Sequence, residues 1–191
     1  LKMFNEKILE NRINIKFKSI EILALSLVHK SFDPISNNER LEFLGDRVLG
    51  LIISKKLLQL YPLESEGNLD RRFAFLVNKK TCLKISKNLQ LEKFLVLGKT
   101  YKKKLNIEDK ILGDACEALI GAVYIDRGYN SVKEFVLRLW KKDINKSHIT
   151  ILDSKTKLQE HSLKCYKKLP HYRLVSSEGP RHNPTYKISV S

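Results

Sequence analysis

Apolar residues recur at three- and four-residue steps through most of the chain, and near residue 170 the step shortens to two. The longer step is that of one helix face, the shorter that of a strand. A weak amphipathic pattern spans Ile8–Phe17, and Ile20, Leu23, Ala24, Leu27 and Val28 predict a helix over Ile20–Lys30. Val48, Leu49, Ile52, Ile53 and Leu57 predict a long helix that begins near the cap residue Asn38 and runs to Tyr61, where Pro62 stops it. After a loop over Leu63–Gly67, Leu69, Phe73, Leu76, Val77 and Leu83 predict one helix from Asn68 to Lys87. A short apolar stretch, Leu89–Leu97, ends at Gly98. The run from Glu108 to Asp126 reads as a buried helix closed by Arg127-Gly128, and Asn130–Lys142 as a last amphipathic helix carrying Phe135 and Trp140. No strand-period segment precedes residue 148, so the first part of the chain is expected to be all-α.

A polar, weakly patterned stretch, Asp143–Asp153, carries a linker, placed at 149–152 between a domain at 1–148 and a smaller one at 153–191. The second part opens with a helix from Lys155. Two alternating segments, Pro170–Val175 and Thr185–Val190, then flank a turn at Ser177–Pro184. Three such elements are expected to fall short of a stable core of their own.

The 191 residues carry 36 Lys and Arg against 21 Asp and Glu, a formal charge of +15, which points to a polyanionic partner with nucleic acid foremost. No apolar run is long enough to span a membrane, and the N-terminal stretch lacks the continuous apolar core of a secretory signal, so a cytoplasmic chain is expected. Cys82, Cys116 and Cys165 are scattered, with no Cys-x-x-Cys pair, and read as small buried hydrophobes in a reducing compartment.

Candidate chemistry resides in two helical segments. Glu42 and Asp46 lie four residues apart on one helix face with Glu39 one turn earlier, and Asp114 and Glu117 lie three apart on another. Most helical carboxylates are solvated, and Glu6, Glu21 and Glu134 suit that reading. Asp114 and Glu117 do not, because they interrupt the apolar run Ile111–Ile125. Carboxylates converging from two helices stay ionised together only beside a cation, and oxygen-only ligands favour Mg²⁺ or Mn²⁺ over zinc. Lys102, Lys103 and Lys104 form a basic run just before the second segment, suited either to a solvated loop or to a phosphate contact.

The run NERLEFLGDRVLG, Asn38 to Gly50, resembles the signature motif of the ribonuclease III family, and KILGDACEALIGAVYIDRGY, Lys110 to Tyr129, resembles that family's second carboxylate motif. KTKLQEH with LPHYRLVSSEGPRHNPTYKISV resembles the first half of a double-stranded-RNA-binding domain, its first helix and first two strands. The resemblance implies an all-α endonuclease domain followed by a partial α+β RNA-binding domain. It implies hydrolysis of double-stranded RNA with Mg²⁺, to 5′-phosphate and 3′-hydroxyl ends, in the processing of ribosomal and other RNA precursors. Asp46 and Glu117 are then the catalytic residues and Glu42, Asp46, Asp114 and Glu117 the metal ligands, with Glu39 and Glu66 as accessories. The family works as a homodimer, and Phe43 matches the residue that packs into its partner. Lys102, Lys103, Lys104, Lys155, Gln159, Glu160 and His182 are the candidate RNA contacts. The competing reading is an inert relative that binds duplex RNA without cutting it; the presence of all four carboxylates argues against that.

Overall fold

In the computed structural model, residues 6–99, 107–146, 154–179 and 185–191 are described, without the side chains of 154–157 and 160. The chain forms two compact units, Leu1–His148 and Ile149–Ser191. In the first, α1 (Glu6–Ile13), α2 (Ile20–Leu25), α3 (Glu39–Leu60), α4 (Glu66–Val77) and α5 (Lys79–Leu89) precede a 3₁₀ turn at Leu91–Lys93 and the long α6 (Asp109–Lys146). Leu49, Ile53, Leu119, Ile120, Val123 and Trp140 lie at its centre, each with 0 % exposure. The Trp140 indole N–H, buried with them, is satisfied by the Leu76 carbonyl at 2.8 Å.

What positions the site is the crossing of α3 and α6. A Cβ on Gly45 would lie 1.8 Å from the Glu117 carbonyl oxygen, and one on Gly121 would lie 2.2 Å from that of Leu41. The two backbones therefore touch, at a separation that larger side chains forbid. This contact carries the carboxylate positions of the signature motif onto those of the second motif. Asp126, buried near the end of the same half of α6, accepts the backbone N–H groups of Lys18 and Ser19 at 2.8 Å each and so anchors the start of α2.

Several boundaries differ from the sequence expectation. The second helix stops at Leu25 rather than reaching Lys30, because Ser26 Oγ turns back onto the Leu23 carbonyl and Leu27–His29 leave the helix to bond Val96. Val28 and Val96 form an isolated parallel bridge, a long-range contact that outweighs local helical periodicity. The helix expected over Asn68–Lys87 is two, broken at Asn78, whose backbone is extended (φ −73°, ψ 160°) and whose side chain accepts Thr81 N–H at 2.9 Å. Asn38 precedes α3 as expected, but its side chain makes no cap; it is buried, with its backbone N–H on the Val28 carbonyl at 2.9 Å. Gly128 interrupts α6 with φ 77°, a conformation that residues with a Cβ rarely adopt, so the two predicted helices meet there at a kink. Asp143 belongs to α6 and not to a linker: it is buried and ion-paired to Lys84.

In the second unit, α7 (Ser154–Tyr166) is followed by β1 (Tyr172–Glu178) and β2 (Thr185–Val190), paired antiparallel from Tyr172↔Val190 to Glu178↔Thr185 with an irregularity between Leu174 and Ser176. Leu163, Leu174, Tyr186 and Ile188 are exposed. Among the described residues, no buried apolar side chain lies beyond Ile144, as expected of three elements with so little to pack against. Among the described residues the first unit is thus built of helices, with one isolated β-bridge, and the second of one helix and a two-stranded sheet.

Candidate metal centre

Glu42 occupies the first turn of α3, and Asp114 and Glu117 the second and third turns of α6. Because the helices touch at Gly45 and Gly121, carboxylate oxygens of all three residues lie within 4.8 Å of one another. At that separation two like charges repel by about 3 kcal/mol at an effective dielectric of ~20. The cost falls mainly on Glu117, which is 8 % exposed. Burial, reinforced by the charges of Asp46, Glu42 and Asp114, pushes its carboxyl from 4.5 up to about 7. Burial and the Asp114 charge likewise raise Glu42. Lys79, at the start of α5, brings Nζ to 4.0 Å from Asp114 Oδ1 but stays 70 % exposed, too solvated to neutralise the group. A three-carboxylate, oxygen-only donor set with one member raised toward neutrality fits a hard divalent cation.

The remaining site candidates are placed differently. Asp46 lies outside the group of three and is paired with Arg47 at 2.8 Å, although its charge is the largest of those acting on Glu117. Glu39 is held at 2.7 Å by Lys30, which keeps its carboxyl below the usual range; it lines a cleft with Glu42, Asp114, Glu108, His29 and Lys110. Glu66 is the exposed first residue of α4 and belongs to no carboxylate group among the described residues. Phe43 stands 64 % exposed beside Leu25, Ile35 and Ile125. Lys102, Lys103, Lys104 and His182 lie outside the described residues, as do the side chains of Lys155 and Glu160; Gln159 is half-buried on α7.

Lys79 and Arg47 went unread in the sequence. Arg47 is adjacent to Asp46, yet nothing in the residue spacing shows that its side chain folds back. Lys79 reaches Asp114 through the packing of α5 against α6, for which periodicity carries no signal. The cysteines divide: Cys82 and Cys116 are buried as expected, whereas Cys165 is exposed beside His161. A hydrogen bond with Cys82 and burial push the Cys116 thiol well up, which suits a packed thiol and not a nucleophile.

A model of the ribonuclease-III-like family matches residues 19–144, which include both carboxylate segments. The chain belongs to the ribonuclease III family. It is a ribonuclease by that membership, and the family uses divalent metal. Ribonuclease 3 of Pelagibacter ubique is 57 % identical over 182 residues, covering 95 % of this chain and 82 % of that protein. Ribonuclease 3 of Rhodopseudomonas palustris is 37 % identical over 187 residues, covering 95 % of this chain and 69 % of its own. Among solved structures, the nuclease domain of ribonuclease III from Campylobacter jejuni, described for flexibility in a region involved in dimer formation, superposes with a TM-score of 0.71. It is 37 % identical and covers 74 % of this chain and 99 % of its own.

Proposed function

We propose that this ribonuclease hydrolyses phosphodiester bonds of double-stranded RNA with Mg²⁺, leaving 5′-phosphate and 3′-hydroxyl ends. The observation that carries the reading is the convergence of Glu42, Asp114 and Glu117, with Glu117 pushed to about 7 by burial and by its neighbours' charge. These three would hold the ion, and Asp46 would join them, with Glu117 and Asp46 the most sensitive to loss of charge. A divalent ion held there supplies concentrated positive charge to the reacting phosphate. In the hydrolysis, water attacks phosphorus, the bond from phosphorus to the 3′ oxygen breaks, and that oxygen takes a proton. Glu39, which lines the cleft beside Glu42 and Asp114, and Glu66, the exposed first residue of α4, are the proposed accessories; neither belongs to the group of three.

The charge of +15 suits a duplex polyanion. Lys102, Lys103 and Lys104, which precede the second carboxylate segment in the sequence, with Lys155, Gln159, Glu160 and His182 nearer the C-terminus, are the proposed RNA contacts. We assign 1–148 to catalysis and 153–191 to a partial RNA-binding domain, joined by a linker at 149–152. The exposed ring of Phe43 supports a homodimer, in keeping with the dimer-forming region described for the Campylobacter protein. No described helix is long and apolar enough to cross a membrane. Processing of ribosomal and other RNA precursors in the cytoplasm is the role that fits a nuclease of this kind.

The test is incubation with long duplex RNA and with single-stranded RNA, each with and without Mg²⁺, alongside Asp114→Asn. Cleavage confined to duplex with Mg²⁺, and lost in the variant, is the expected result. Duplex binding without cleavage under every condition would instead establish an inert binding protein.

A further inference from the structure

One guanidinium joins two neighbouring features of the same helix turn. Arg47 Nη1 donates to the Asp46 carboxylate at 2.8 Å and to the Phe43 carbonyl at 3.2 Å, and its Cζ lies 4.0 Å from the centre of the Phe43 ring. Phe43 is the exposed aromatic of the apolar groove formed with Leu25, Ile35, Leu41, Leu44 and Ile125. Asp46 is the signature carboxylate that the group of three lacks. The same side chain thus rests on the ring of the proposed dimer face and holds the carboxylate proposed as the fourth metal ligand.

We propose that Arg47 is a positioning residue coupling the Phe43 face to the metal centre: stacked on Phe43 it retains Asp46 in an ion pair, and a second copy of the chain covering Phe43 releases Asp46 toward Glu42, Asp114 and Glu117. This rests on the metal and dimer readings given above. Phe43 and Arg47 are four residues apart and so share a face, which makes the stack a local property of α3. A partner that covers the ring takes the face on which the guanidinium rests, so Arg47 must leave the ring and its hold on Asp46 is disturbed with it. Both contacts of Arg47 are solvent-exposed and weak, which limits the coupling to about three- to tenfold in affinity. Linkage makes the effect reciprocal: an ion bound more tightly by the associated form strengthens association by the same factor.

The experiment uses the whole chain stripped of metal. Mn²⁺ binding is read by electron paramagnetic resonance over a range of protein concentrations, with self-association followed by sedimentation. The wild-type affinity for Mn²⁺ should rise about three- to tenfold from the dilute to the associated protein. In dilute protein, Phe43→Ala, which changes no charge, should bind Mn²⁺ severalfold more tightly than wild type. Adding Arg47→Ala should then give little more, and Arg47→Lys, which keeps the charge but loses the planar stack, should resemble Phe43→Ala. A guanidinium acting only as a nearby charge would leave Phe43→Ala and Arg47→Lys at the wild-type value, overturning the proposal. Association and Mn²⁺ binding that are both present but independent of each other would overturn it too. Mn²⁺ binding without association at any concentration defeats it through the dimer premise, and absence of Mn²⁺ binding through the metal premise, so the three failures are distinguishable.

Discussion

Glu117→Gln should stabilise the metal-free protein while abolishing cleavage. In the absence of metal, the Glu117 carboxyl titrates at about 7 in the folded chain against an ordinary value of 4.5. A raised folded value means that the native state binds the extra proton, so stability is fully present below about pH 4.5 and is lost as pH rises through about 7. At pH 8 the ionised, buried carboxylate costs up to about 3 kcal/mol, and at pH 5 about 1 kcal/mol, from ~1.4 kcal/mol per pK unit. Glutamine keeps the shape and removes the charge. In EDTA, the variant should therefore exceed wild type by up to about 3 kcal/mol at pH 8, roughly 2–4 °C of melting temperature for each kcal/mol, and the gap should narrow at pH 5. Urea or thermal unfolding at both pH values measures it, and duplex cleavage in Mg²⁺ gives the companion readout. Equal stabilities at pH 8 without metal would refute the argument that Glu117 is held ionised at a cost among its neighbours. Stabilisation accompanied by full cleavage would refute its role as a ligand.

Binding of a divalent ion needs Glu117 deprotonated, so Mn²⁺ affinity should fall about tenfold per unit as pH drops below about 7, measurable by calorimetry; a flat profile between pH 5 and 7 would contradict the assignment. Gly45→Ala drives a Cβ to 1.8 Å from the Glu117 carbonyl oxygen, which forces the α3–α6 crossing apart; a loss of more than about 3 kcal/mol, or no soluble protein, is expected, and near-wild-type unfolding would show that the helices are not in contact there. Asp126→Ala removes the acceptor of two backbone N–H groups at 2.8 Å and should cost about 2–3 kcal/mol, with faster hydrogen exchange at Lys18 and Ser19 as the local readout.

Local order was legible where one element decides it. The apolar spacing of Val48, Leu49, Ile52, Ile53 and Leu57 needs nothing beyond its own helix, and α3 accordingly ends at Leu60, just before Pro62. Gly128 announced the interruption of α6 for the same reason: its positive φ is a property of one residue. The boundaries that escaped are those where a distant partner intervenes. Leu27–His29 have the composition of a helix end but pair with Val96, and Asn78 breaks a continuous apolar pattern by capping the helix that follows it.

The candidate site divides along the same line. Helical spacing alone placed Glu42 with Asp46 and Asp114 with Glu117, because the 3.6-residue period dictates which side chains share a face. It gave no account of which of the four would meet across the crossing. That was decided by Gly45 and Gly121, which let α3 and α6 approach until Glu42, Asp114 and Glu117 converge, while Asp46, paired with Arg47, stays outside that group. Neighbours along a helix are written into the chain; neighbours between helices depend on how closely two backbones pack.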